Sequence, residues 1–100
     1  MERATALTLL KQHQAELIEL GVLSISVIGS TAREEATPLS DVDLAVTLTQ
    51  GKRGFAHLER MDRLRARIAE MLGTSVDVIE EPSPSPRIQQ AIEQDRVRAF

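Results

Sequence analysis

The sequence predicts a small α/β (α+β) domain built on a mixed sheet of three to four strands flanked by helices. Three observations carry this. Apolar residues recur at helical spacing over 3–20 and again over 55–72. Three short runs rich in Ile, Val and Leu alternate at period two. The segments follow one another as α-β-(α)-β-α-β-α, with no internal repeat and no linker between them. One hundred residues suffice for one domain, 1–100, and leave little room for a second.

In the first helical segment Leu7, Leu10, Gln14, Leu17 and Ile18 share a stripe, and Gly21 suits the left-handed residue that follows a helix. SISVI over 24–28 reads as a strand with Ile25 and Val27 on one face, ended by Gly29-Ser30. A helical turn or two is expected over 31–35, broken by Thr37-Pro38. DVDLAVTLT over 41–49 alternates clearly, with Val42, Leu44, Val46 and Leu48 on one face and Asp41, Asp43, Ala45 and Thr47 on the other. A loop over 50–54 leads to a second amphipathic helix carrying Phe55, Leu58, Met61, Leu64, Ile68, Met71 and Leu72, stopped by Gly73. The third strand spans 76–79. EPSPSP over 81–86 excludes regular structure, and Ser85 and Pro86 suit the cap and first turn of a last helix with Ile88, Ala91 and Ile92. The tail DRVRAF is expected to add a short extended segment or to dock on a partner. Leu7, Leu10, Leu58, Leu64 and Ile68 are the expected core.

Composition narrows the function classes. The only aromatic residues are Phe55 and Phe100, so stacking platforms for nucleic-acid bases are missing, and a net charge of −3 argues against a broad nucleic-acid surface. The small aliphatic core leaves stability to be gained from homo- or hetero-oligomerisation. The absence of cysteine excludes disulfides and Cys-ligated zinc. The charged N-terminus is not a secretory signal, and apolar runs fall far below the roughly twenty residues that span a bilayer, so a cytoplasmic protein without a membrane partner is expected.

The chemistry concentrates in 29–46, GSTAREEATPLSDVDLAV. Gly29 permits close approach of backbone to a phosphate, and Ser30 offers a hydroxyl and an N–H at a helix start, where the dipole favours anions. Arg33, one turn later, can aim at the same phosphates, and Ser40 is a secondary candidate for the same role. Asp41 and Asp43, two apart on a strand, project together, and their mutual repulsion calls for a cation. Oxygen-only ligands suit magnesium or manganese, and two such ions, roughly 3.5–4 Å apart, can clamp a phosphoryl transfer. Asp77, inside an apolar strand, completes the cluster if the third strand lies beside the second, as a ligand or as the proton acceptor.

Each signal has a blander reading. Gly29 can be a turn glycine, Ser30 an N-cap, Ser40 a turn cap, and Arg33 a surface partner of Glu34 or Glu35. Glu35, Glu80, His13 and His57 read as surface residues, and the arginine-rich run over 60–67 as a solvated helix face or a docking patch for an acidic partner or RNA.

Gly29-Ser30, a ten-residue gap and Asp41-x-Asp43 resemble the signature of the DNA polymerase beta-like nucleotidyltransferase superfamily. The small size and G-S-x-A-R-x-E-x-x-x-x-S-D-x-D-L are similar to its minimal nucleotidyltransferase (MNT) proteins, the antitoxins of HEPN–MNT toxin–antitoxin pairs. The resemblance implies that Gly29 and Ser30 hold the triphosphate with help from Arg33. It implies that Asp41, Asp43 and Asp77 bind two magnesium ions, with Asp77 also a base, and that ATP is the donor. It further implies an antitoxin that transfers AMP to a tyrosine hydroxyl of a HEPN-type ribonuclease toxin. The chain contains no tyrosine, so such an acceptor belongs to another molecule. The alternative is a non-catalytic antitoxin that neutralises its partner by binding and occlusion.

Overall fold

The computed structural model describes residues 1–51 and 53–100; Lys52, within the loop expected over 50–54, lies outside the described residues. The first apolar stripe folds as two helices, α1 (Arg3–Gln12) and α2 (Gln14–Glu19). They break at His13, whose φ of −99° and ψ of 14° leave the helical range. The break removes Gln14 and Ile18 from the buried stripe: Ala6, Leu10 and Leu17 are fully buried, whereas Ile18 is 53% exposed.

Strand β1 (Val22–Ile28) begins two residues earlier than expected and runs directly into α3 (Gly29–Ala32), a four-residue helix that starts at the Gly-Ser pair itself. Next come β2 (Val42–Leu48), α4 (Phe55–Leu72) and β3 (Val76–Glu80). The helix α5 (Pro86–Asp95) follows, with Ser85 as its cap, its hydroxyl accepting from the Ile88 N–H, and Pro86 in the first turn. The tail forms β4 (Val97–Arg98).

The sheet order is β3-β2-β1-β4. β2 and β3 are parallel and joined by the long α4 crossover, while β1 is antiparallel to both β2 and β4. This four-stranded sheet falls within the mixed sheet of three to four strands with flanking helices that the sequence predicts. Alternation separates its two faces. Ile25, Val27, Leu44 and Val46 form a core with Leu10, Leu17, Leu64 and Ile68 of the helices on one side. On the other side Ile28, Ala45 and Ile79 meet Ile92 of α5 in a smaller cluster. Asp43 and Asp77 belong to this second face, because their strand registers share it.

Part of the expected core is on the surface. Phe55 is 85% exposed and Leu58 60%, because α4 buries residues only from Leu64 onward and its first two turns carry none. Leu7 is only partly buried, and Ile88 is 45% exposed. The arginine run is also less uniformly solvated than expected. Arg67 pairs with Glu16 (Nη2–Oε1 2.8 Å) and joins α4 to α2. Arg60 donates to the carbonyls of Thr49 (2.7 Å) and Gly21 (3.3 Å), anchoring α4 to the chain turn before β1. Among the described residues Arg63 and Arg65 make only local, exposed pairs with Glu59 and Asp62. No helix among the described residues is long and apolar enough to cross a membrane.

Candidate active site

The β1–α3 junction and the start of β2 meet at one end of the sheet. Ile28 stands opposite Asp43 in the antiparallel register, so Gly29, the next residue, comes against the Asp43 side chain. Gly29 has φ 66°, and a Cβ there would lie 2.5 Å from Asp43 Oδ2 and 3.2 Å from Asp43 Cβ. Only glycine satisfies both the left-handed backbone and this approach. Gly29 therefore does more than turn the chain: it lets the backbone close on a carboxylate.

Asp43 is also the direct partner of Asp77 across the parallel β2–β3 pair. Paired residues of adjacent strands project from the same face at roughly 4.8 Å spacing, so the two carboxylates stand side by side. Asp41 precedes β2, solvent-exposed. Burial pushes the Asp43 carboxyl above the ordinary range, and the charges of Asp77 and Asp41 push it further, while Arg33 acts in the opposite direction. The register thus brings two of the three predicted carboxylates, Asp43 and Asp77, together, with Asp41 just before the strand. As they stand, no three Asp, Glu or His side chains among the described residues converge on one ion position. The donor chemistry, oxygen only with uncompensated negative charge, fits magnesium or manganese.

The other predicted residues are placed unevenly. Ser30 is half-buried in the first turn of α3, whose four residues sum to little cumulative dipole; what attraction it has for an anion lies in its local N–H groups. Thr31 beside it is buried, with a hydroxyl that has no hydrogen-bond partner among the described residues. Ser40 closes a turn: its hydroxyl accepts from the Thr37 N–H (3.0 Å) and its own N–H donates to the Thr37 carbonyl (3.0 Å). Arg33 pairs with Glu35 (3.3 Å), one of its expected surface partners, but its shorter contact is with Asp95 at the end of α5 (2.6 Å). Glu80, expected to be solvated, meets His57 Nε2 at 2.9 Å.

Sequence reasoning missed the contribution of the C-terminal segment. Arg96 donates to Glu81 Oε2 (2.8 Å) and to the Ser26 hydroxyl (3.1 Å), and Gln89 donates to Glu81 Oε1 (2.9 Å). Glu81 is 9% exposed, and the Arg96 guanidinium, with help from Gln89, holds its carboxyl below the ordinary range. This network fixes α5 over the carboxylate-bearing face. Only the charged DR pair at the end of the last helix hints at it in the sequence.

Comparison with known proteins agrees with the fold. A family model for the nucleotidyltransferase domain matches residues 10–99, and the chain belongs to that family. A provisionally named protein adenylyltransferase of Methanocaldococcus jannaschii is 36% identical over 76% of this chain and 77% of its own length. A second from the same organism is 34% identical over 89% of each chain. Among solved structures, a provisionally named minimal nucleotidyltransferase superposes with a TM-score of 0.78 at 27% identity, covering 97% of this chain and 95% of that one. The fold is also that of an MNT antitoxin in complex with a tri-AMPylated HEPN toxin of Shewanella oneidensis (TM-score 0.56, 21% identity, 90% of this chain and 71% of that one).

Proposed function

We propose that this nucleotidyltransferase moves AMP from ATP to a hydroxyl of a partner protein, with magnesium, and that the partner is a HEPN-type ribonuclease toxin modified on tyrosine. The observation that carries the reading is the Gly29 backbone closed against Asp43 with Asp77 aligned beside it. That juxtaposition sets a left-handed glycine turn against a carboxylate whose charge burial and its acidic neighbours disfavour. The relatives named as protein adenylyltransferases support a protein acceptor. The MNT–HEPN complex of the same fold supports the choice of partner.

Two magnesium ions held by Asp41, Asp43 and Asp77 would neutralise the triphosphate and the developing charge. The chain itself supplies position. Gly29 and Ser30 receive the phosphates, with Ser40 holding the adjacent turn. The acceptor oxygen bonds to the α-phosphorus as the bond to the bridging oxygen breaks; pyrophosphate leaves, and the hydroxyl proton passes to Asp77. The test is intact mass spectrometry of the partner after incubation with the chain, ATP and magnesium. An added AMP mass, lost in Asp41→Asn/Asp43→Asn, is expected. A stable complex with no adduct from any nucleotide would overturn the transferase reading in favour of neutralisation by occlusion.

A further inference from the structure

The guanidinium of Arg33 is gripped from two sides. Its Nε donates to Glu35 Oε2 at 3.3 Å and its Nη1 to Asp95 Oδ2 at 2.6 Å, while Nη2 has no hydrogen-bond partner among the described residues. A guanidinium carries five N–H donors in a rigid plane, so fixing two nitrogens fixes where the third points. Arg33 lies one turn beyond Gly29, its N–H bonded to the Gly29 carbonyl (3.1 Å), and helical side chains lean back toward the N-terminus. Arg33 is the residue that closes α3, so its side chain leaves the backbone one turn from Gly29 and reaches the end of α5.

The second grip comes from outside the motif. Asp95 is the last residue of α5, 62 positions from Arg33, and its side chain is only 22% exposed. The next residue, Arg96, is anchored to Glu81 and Ser26. Asp95 is thus held on a fixed post, and a fixed carboxylate orients a guanidinium better than a mobile one. Glu35, exposed and two residues away, cannot do this alone.

We propose that Asp95 is a positioning residue for nucleotide binding: from the end of α5 it orients Arg33 so that Nη2 meets the triphosphate. This deepens the nucleotidyltransferase reading and rests on it. The opposite reading is also physical. Asp95 adds negative charge near an anionic ligand, so a carboxylate that merely occupied Arg33 would weaken binding, and its removal would strengthen it.

The experiment is calorimetric titration of magnesium-ATP into the wild-type chain, Asp95→Asn, Asp95→Glu, Arg33→Met and the double variant Asp95→Asn/Arg33→Met, with thermal unfolding of each. Asp95→Asn is expected to raise Kd about tenfold, the loss of one oriented charge-assisted hydrogen bond, with the melting midpoint little changed. Asp95→Glu should recover most of the affinity. The double variant should bind no worse than Arg33→Met alone, because Asp95 acts only through Arg33. Unchanged or tighter binding by Asp95→Asn, or additive losses in the double variant, would overturn the proposal. Failure of the wild type to bind magnesium-ATP would overturn it together with the nucleotide reading. Binding with the expected pattern but no AMP transfer to any partner would remove the transferase reading and leave this one standing.

Discussion

Replacing Gly29 by alanine tests the central feature of the site, and a built-in control separates its two costs. Gly29 and Gly73 share a left-handed backbone, φ 66° and φ 70°. A Cβ on Gly73 meets nothing within 4 Å, whereas one on Gly29 meets Asp43 Oδ2 at 2.5 Å. Alanine in this conformation costs about 1–2 kcal/mol at either site. For a chain of this length that is a fall in Tm on the order of 5–15 °C. At Gly29 the contact adds a displacement of Asp43, whose carboxylate must rotate away and lose its alignment with Asp77. A misplacement of about 1 Å at a reacting centre costs on the order of a hundredfold in rate. Calorimetric melting with and without magnesium, and transfer of labelled AMP to the partner, read the two effects. Gly73→Ala should melt lower yet keep magnesium stabilisation and transfer; Gly29→Ala should lose both. If the two variants behave alike in every assay, Gly29 is only a turn residue and the argument from Asp43 fails.

Asp43→Asn should raise the Tm of the metal-free chain near neutral pH, because it removes a charge that burial, Asp77 and Asp41 all disfavour. It should also abolish a magnesium-dependent gain that in the wild type is worth about 1.4 kcal/mol at tenfold excess over Kd. Glu81→Gln should cost on the order of 2 kcal/mol, less than a fully buried pair because the Arg96 side chain is 30% exposed. The Glu81 carboxyl is lowered in the folded state, so its contribution is present above the ordinary carboxylate range and lost as pH falls from there through the lowered folded value. The gap between the melting curves of wild type and Glu81→Gln should therefore narrow as pH falls from about 7 into the acid range. Thr31→Val, which removes the unpartnered buried hydroxyl at constant shape, should stabilise by about 1 kcal/mol in chemical denaturation. A loss of stability there would mean the hydroxyl has a partner in solution.

The elements set by local pattern were legible in advance. The period-two run around Asp43 and the 3.6-residue run from Phe55 to Leu72 fold over almost the expected residues, because one face of each is apolar and a shift in register would expose it. The Gly-Ser to Asp-x-Asp spacing was legible too, since it lies within one continuous stretch from the start of α3 to the start of β2. Leu58 and Phe55 were misplaced for a corresponding reason: helical periodicity says which residues share a stripe, not how far along the helix the sheet extends beneath it.

What the sequence by itself determined, then, is the alternation of helical and strand segments, the apolar face of the central strands and the spacing of the motif. Tertiary structure decided the rest. It set Asp77 beside Asp43, it closed the tail into β4, and it brought Asp95 to Arg33 and Arg96 to Glu81. Charge pairing is degenerate in a sequence with twelve Lys and Arg and fifteen Asp and Glu, because every arginine has several carboxylates it could reach. The choice among them falls to the rigid placement of α5, which depends on packing Ile92 against Ile28 and Ala45 from distant parts of the chain.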